Sequence, residues 1–247
     1  MTTIIINITK WLYQSYLYLT NQNKKWYIIE GNIGSGKTEL LNKLKENLDC
    51  EIIIEPVNVW QTIIGDNNKN ILQHFYDNPK RYAYIFQAIV LQTRLQSIEI
   101  PQSKNIRFTE RSIWTDKYIF GKVCIETNLM NELEKNAYLL SFNWLEKIFS
   151  KKPDGIIYLQ CSPNKCLNRV NLRARNEETS ISIDYLQTIH DNHESWLSSW
   201  TDTKKLIINN DNDNDWNNVI KQIKLFISPC YTTYTTNKTN NIITSCK

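Results

Sequence analysis

Ile28-Ile29-Glu30-Gly31-Asn32-Ile33-Gly34-Ser35-Gly36-Lys37-Thr38 is the stretch from which the fold is read. It fits G-x-x-x-x-G-K-[ST], a loop whose backbone N–H groups cradle phosphate. The chain has only six glycines, and Gly31, Gly34 and Gly36 all fall in this turn. Trp26-Tyr27-Ile28-Ile29 before it is an apolar, β-prone run, as a buried strand should be. Thr38 to Leu48 after it reads as a helix with Leu40, Leu41, Leu44 and Leu48 on one face. Strand, glycine turn and helix N-terminus together form an anion site. Gly31 to Thr38 are therefore expected to hold a nucleotide's phosphates. Lys37 would reach the β- and γ-phosphates, and the Thr38 hydroxyl would help hold Mg²⁺. A chance match in a Gly-Ser turn is the bland alternative, and the flanking strand and helix weigh against it.

At 247 residues the chain suits one domain with a sizeable core. Its net charge of +4 fits an anionic small molecule as well as weak nucleic-acid binding, so it decides little. The richness in Asn, Ile and Lys is read as the mark of an AT-biased genome. Cys50, Cys124, Cys161, Cys166, Cys230 and Cys246 are scattered without a C-x-x-C pair, so neither zinc spacing nor a disulfide framework is present. Reduced thiols in the cytoplasm are the expectation. Lys10 and polar residues interrupt the apolar run over 4–19, which is too short and mixed for a membrane span. The run has no secretory pattern, and its lack of arginine makes a mitochondrial address the poorer choice. Residues 1–24 are read as an N-terminal extension, 25–228 as the catalytic domain, and the Thr/Asn-rich 229–247 as a disordered tail.

Cys50 to Pro56 is a second strand, three isoleucines ending in Glu55 and a proline that stops the ladder. Glu55 thus lies at a strand's carboxyl end, the edge where ligands bind in open α/β sheets. Val57 to Ile64, Asn70 to Tyr76 and Pro79 to about Ser97 read as helices, the last placing Gln87 and Arg94 on nearly one face. Asn105 to Ser112 is a third strand running into Glu110-Arg111-Ser112, and Ser112 can cap a helix carrying Trp114, Asp116, Tyr118 and Phe120. Met130 to Ser150 is a long amphipathic helix and Ile156 to Gln160 a fourth strand. Pro163 then starts a helix bearing Arg169 and Arg173, followed by Arg175. The polar 174–183 is expected to be mobile. Asp184 to Trp200 is a helix, Leu206-Ile207-Ile208 a fifth strand and Trp216 to Phe226 a last helix. This alternation predicts an α/β fold, a parallel five-stranded sheet flanked by helices.

A phosphate loop leaves four classes open: small-molecule kinase, GTPase switch, motor or repair ATPase, and a binding module without activity. Arg169, Arg173 and Arg175 beside a polar segment suit a lid that brings positive charge to a moving phosphoryl group, which favours a kinase. The alternative is a solvated basic helix face. Glu55 is placed to take a hydroxyl proton, Glu110 to hold Mg²⁺, and Arg111 to steady Glu55 and meet the phosphoryl. Simple strand-end ion pairs are the competing explanation. His190, His193 and Glu194 form a local cluster more consistent with packing or capping than with a metal site.

Several runs together resemble the deoxynucleoside kinase family. They are Gly31 to Thr38, Glu55-Pro56-Val57 with Trp60, Phe86-Gln87, Glu110-Arg111-Ser112, Leu172 to Glu178, and His193-Glu194-Ser195-Trp196-Leu197. The resemblance spans about Trp26 to Phe226. It implies a P-loop kinase fold with an arginine-rich lid, a homodimer through long helices, and transfer of the γ-phosphoryl of ATP or another NTP to the 5′-hydroxyl of a deoxynucleoside. By position it makes Glu55 the general base, with Glu110 as the other carboxylate to which that role is given. Glu110 and Thr38 serve Mg²⁺, Lys37 and Arg111 serve transfer, and Arg169, Arg173 and Arg175 form the lid. Tyr76 and Glu178 hold the 3′-hydroxyl, while Trp60, Phe75, Phe86 and Phe120 line the nucleoside pocket. Ala174, where glycine is common in the family, departs from the pattern.

Gln87 offers one donor and one acceptor to a base edge. In the family a pair corresponding to Arg94 and Asp116 accompanies cytosine and purine acceptors, and both residues are present here. Deoxycytidine or a purine deoxynucleoside is therefore expected over thymidine. Val90 pulls the other way, because thymidine-accepting relatives often carry valine there. A thymidine or broad-specificity kinase is one alternative. A catalytically silent subunit is another, opposed by intact Lys37, Thr38, Glu55, Glu110 and Arg111. A nucleic-acid partner is not expected, for want of a basic-aromatic stripe, and neither is a membrane.

Overall fold

A computed structural model describes residues 24–148, 151–212 and 215–228. The expected tail, and all of the expected extension but Lys24, lie outside the described residues. Five parallel strands form one sheet in the order β2-β3-β1-β4-β5: β1 Lys25–Gly31, β2 Glu51–Ile53, β3 Ile106–Glu110, β4 Gly155–Gln160 and β5 Lys205–Asn209. The run read as the first strand lies at the centre because it is apolar on both faces. Trp26 and Ile28 face one core layer, with Phe86, Phe142 and Trp196. Tyr27 and Ile29 face the other, with Leu40, Leu41, Leu44 and Phe226. The period of two in β1 thus divides the molecule into its two layers.

Nine helical segments cover the sheet among the described residues. They are α1 Lys37–Asn47, α2 Val57–Thr62, α3 Ile71–Asp77, α4 Pro79–Glu99, α5, α6 Glu132–Ile148, α7 Pro163–Arg173, α8 Ile183–Ser199 and α9 Trp216–Ile227. Helix α5 runs through Ile113–Thr115, widens into a π turn over Asp116–Phe120 and continues through Gly121–Glu126. Strand register sets Ile29 beside Glu110 and Gly31 beside Leu159. The carboxyl ends of three neighbouring strands therefore meet at one edge.

One stretch differs from the sequence-based expectation. Strand β2 is shorter than Cys50 to Pro56. It is an edge strand paired only with β3, from Glu51 opposite Arg107 to Ile53 opposite Thr109. Ile54, 43% exposed, is already outside the ladder. Within the polar 174–183 lies a 3₁₀ turn, Asn176–Glu178, in which Glu178 is buried against two arginines.

Candidate active site

The glycine turn closes on itself. Gly31 has φ 149, and a Cβ there would stand 2.5 Å from Ser35 Oγ and 2.7 Å from the Leu159 carbonyl. Gly34 has φ 77, with Cys166 O of α7 only 2.6 Å from where a Cβ would be. Asn32 ties the loop to α8, its amide donating to Leu186 O at 2.8 Å. Asn210 ties it to the end of β5, its amide donating to Ser35 O at 2.7 Å. Lys37 Nζ donates to Asn32 O at 2.8 Å, inside the cradle, and lies 4.0 Å from Glu110 Oε1. Burial, helped by nearby Arg111, lowers the Lys37 ammonium to about 8 against the pull of Glu110 and Glu55. The Thr38 hydroxyl donates to both Glu110 oxygens, at 3.2 and 3.1 Å. A hydroxyl and a carboxylate at the mouth of a phosphate loop are hard oxygen donors, a set that suits Mg²⁺.

Beside the loop, a cleft opens between the strand ends and α2 to α5. On its floor Arg94 Nη2 donates to Glu55 Oε1 at 2.6 Å, while Nε faces Asp116 at 3.0 Å. Arg111 Nε is 3.6 Å from the same Glu55 oxygen. Burial pushes the Glu55 carboxyl upward, but Arg111, Arg94 and Lys37 outweigh it and hold the group at about 2. Asp116 is fully buried, and there burial wins against Arg94, raising it to about 7. Arg94 comes from the face of α4 that also carries Gln87 and Val90. Gln87 is buried, and its Oε1 has no partner among the described residues.

Aromatic rings make the walls. Phe75 stacks on Phe86 at 4.9 Å between centroids, and Trp60 meets Phe86 edge-on at 5.4 Å. The surface these rings turn to the cleft suits a flat apolar body with polar edges. Thr93 holds Trp60 by accepting its indole N–H at 3.0 Å. Arg111 has φ 64, and its guanidinium lies 4.5 Å above the Phe120 ring. Tyr76 and Glu178 stand at the cleft's far end, where burial and Glu178 raise the phenol's pKa.

Arg173 reaches Glu178 Oε2 at 2.6 Å and Arg175 reaches Oε1 at 3.3 Å, so both border the cleft. Arg169 does not border it. Its guanidinium donates to Asn210 O at 3.1 Å and to Cys161 Sγ at 3.4 Å, beside the phosphate loop's outer flank. Asp116 also lies behind the cleft wall, contacting it through Arg94. Trp60, Phe75, Tyr76, Phe86, Gln87, Val90 and Phe120 all line the cleft with Glu55, Glu110 and Arg111.

The histidines do not act as one cluster. His193 is fully buried and stacks on Tyr158 at 5.6 Å, whereas His190 faces Glu194 at 3.8 Å. Sequence reasoning missed Thr93, Tyr185, which also lines the cleft, and Glu177. Glu177 Oε1 accepts from Gln61 at 2.9 Å and Asn70 at 3.0 Å, tying the 3₁₀ turn to α2 and to the N-cap of α3. A threonine one residue before Arg94 was the available sign for Thr93. Nothing local marks Tyr185.

A family model described as deoxynucleoside kinase matches residues 27–228. A probable deoxycytidine kinase of Fowlpox virus (strain NVSL) is 36% identical over 214 residues, 82% of this chain and 88% of that protein. The deoxycytidine kinase of Homo sapiens is 34% identical over 233 residues, covering 81% and 90%. The mitochondrial deoxyguanosine kinase of Xenopus laevis is 35% identical over 217 residues, covering 78% and 82%. The matched span takes in strands β2 to β5, β1 from Tyr27, the phosphate loop and all four arginines that line the cleft. The chain belongs to the deoxynucleoside kinase family.

Proposed function

We propose that the protein transfers the γ-phosphoryl of ATP, or another NTP, to the 5′-hydroxyl of deoxycytidine or a purine deoxynucleoside. The observation that carries this is one continuous cleft. It runs from the phosphate cradle of Lys37, Thr38 and Glu110 to the Glu55–Arg94 floor, with Asp116 behind it, and the aromatic wall. The donor's phosphates would enter at the first end, and the base would lie against the wall of Phe75, Phe86 and Trp60. That would leave the sugar between Glu55 on one side and Tyr76 and Glu178 on the other.

Glu55 is the acceptor of the 5′-hydroxyl hydrogen. Held ionised, it is a weak base, which suits a loose phosphoryl transfer in which the hydroxyl proton leaves late. Thr38 and Glu110 would hold Mg²⁺, which when bound neutralises charge between the β- and γ-phosphates. Arg111, Arg173 and Arg175 supply positive charge around the transferred group, the last two from a lid. Gln87 and Arg94 address the base edge. An unpartnered buried Gln87 oxygen asks for a donor, which the amino group of cytosine or adenine supplies and the ring N–H of thymine supplies too, so the choice of base falls to Arg94 with Asp116 behind it.

The homodimer is part of the same proposal. Leu140 and Trp144 of α6 are 73% and 62% exposed and lie beside Leu91 and Leu95 of α4 in an apolar groove, a face two copies could share. Four buried free thiols, Cys50, Cys124, Cys161 and Cys166, support a reducing cytoplasmic setting. No helix among the described residues is long and apolar enough to cross a membrane.

A thymidine or broad-specificity kinase is the second possibility, favoured by Val90 in the cleft wall. The deciding experiment is phosphorylation of the four natural deoxynucleosides with ATP and Mg²⁺, compared as kcat/KM. Preference for deoxycytidine or a purine deoxynucleoside supports the first, and preference for thymidine the second. Inactivity on all four would defeat both.

A further inference from the structure

One deeply buried charge takes no part in the proposed transfer. Glu30 sits at the end of β1, one residue before Gly31, and is wholly inaccessible to solvent. A carboxylate in such a place is costly unless it is closely partnered. Its Oε1 accepts the hydroxyl of Thr115, in the first turn of α5. Its Oε2 faces His193 Nε2 of α8 at 3.6 Å. The His193 ring is fixed in turn by its stack on Tyr158 and by Nδ1 at 2.8 Å from Ile189 O. Glu30 is thus closed in from both sides.

Thr115 passes the constraint on. Having given its proton to Glu30, its oxygen accepts the N–H of Ser112 at 2.9 Å. Ser112 follows Arg111, whose φ of 64 is a left-handed conformation that a long side chain avoids. The peptide units around Arg111 are held on every side. Its own N–H donates to Ile29 O at 3.0 Å, and its carbonyl accepts the Thr109 hydroxyl at 3.1 Å. A strained residue so thoroughly pinned points to a conformation kept for use. Capping α5 would need only Ser112 and Thr115, with no carboxylate in the core behind them.

We infer that Glu30 and Thr115 are positioning residues for phosphoryl transfer. Glu30 orients the Thr115 hydroxyl so that its lone pair meets the Ser112 N–H. That bond locks the left-handed turn that sets Arg111 over Phe120 and beside Glu55. The inference rests on the proposed role of Arg111 at the transferred phosphoryl.

The test is a double-mutant cycle in the full chain, read as kcat and KM for ATP and nucleoside, with thermal unfolding of each variant. Thr115→Val should lower kcat by about 10- to 100-fold, the cost of misplacing a catalytic group, with little change in either KM. Thr115→Ser should restore most of it. In an Arg111→Ala background, Thr115→Val should have almost no further effect on kcat. If Thr115→Val does not fold, Glu30→Ala takes its place, with the same loss expected and the same disappearance without Arg111. Additive losses, or a fall in stability with kcat unchanged, would overturn the inference and leave the kinase assignment intact. A harmless Arg111→Ala would overturn it too, together with the role given to Arg111. An inactive wild-type protein would instead be the failure of the functional proposal.

Discussion

Arg94 touches Glu55 at 2.6 Å, so the residue placed to read the base is bonded to the residue placed to receive the 5′-hydroxyl. In the proposed function, base recognition and transfer chemistry would therefore share one ion pair. A base that draws on Arg94 also alters the charge around Glu55.

Glu55→Gln keeps the size of the side chain and removes its charge. Turnover should fall by about 10²- to 10⁴-fold, the usual worth of a positioned acid–base group. ATP binding, measured by equilibrium titration, should change little, because the phosphate cradle is built from other residues. Near-normal turnover would remove Glu55 as the hydrogen acceptor.

Replacing Arg94 and Asp116 together, by Met and Ala, removes a buried pair rather than half of one. The ranking of kcat/KM should move towards thymidine, whose methyl gains room. Because Glu55 loses its closest cation, kcat on every nucleoside should also change. An unchanged ranking would show that the pair does not choose the base.

Lys37 gives a pH signature. Its ammonium, lowered to about 8 by burial and Arg111, binds phosphate only while protonated. The kcat/KM for ATP reports the free enzyme, so it should fall as pH rises above about 8, tenfold per unit at the limit. The corresponding limb of kcat should lie higher, because bound phosphate favours the charged form. A flat profile up to pH 10 would refute this.

Ala174 ends α7 with φ 50 and ψ 42, left-handed backbone that costs a side chain more than it costs glycine. Ala174→Gly should stabilise the fold by about 0.5–1 kcal/mol in denaturant unfolding, strain relief exceeding the entropy of an added glycine. Loss of stability would mean that the strain is negligible.

Trp144→Glu places a charge in the exposed face of α6. Sedimentation should show dimeric wild type and monomeric variant. A monomeric wild type, or a variant still dimeric, would discard this face as the interface.

The sheet and the phosphate loop were legible because their signals are local. An apolar run, a glycine pattern and a leucine stripe lie side by side between Trp26 and Leu48. The walls of the cleft became legible only through several spaced motifs together. The rest depends on contacts between distant segments. Glu30 looks like an accident in an apolar strand until Thr115 and His193 are seen beside it. Arg169 has the same helical spacing as Arg173, yet it turns towards Asn210 while Arg173 turns to Glu178. The π turn in α5 adds a residue to a helical period, which no simple periodicity reveals.

The close seat of Gly34 against the Cys166 carbonyl has a mechanical consequence. The phosphate loop and α7 bear on each other backbone to backbone, with a methyl of Val170 packed beside the contact. Arg169 sits on the same helix, which carries its guanidinium to Asn210. That helix ends at Ala174, in left-handed backbone. Under the proposed function, any lid movement of Arg175 would pivot there and leave the floor under the phosphates in place.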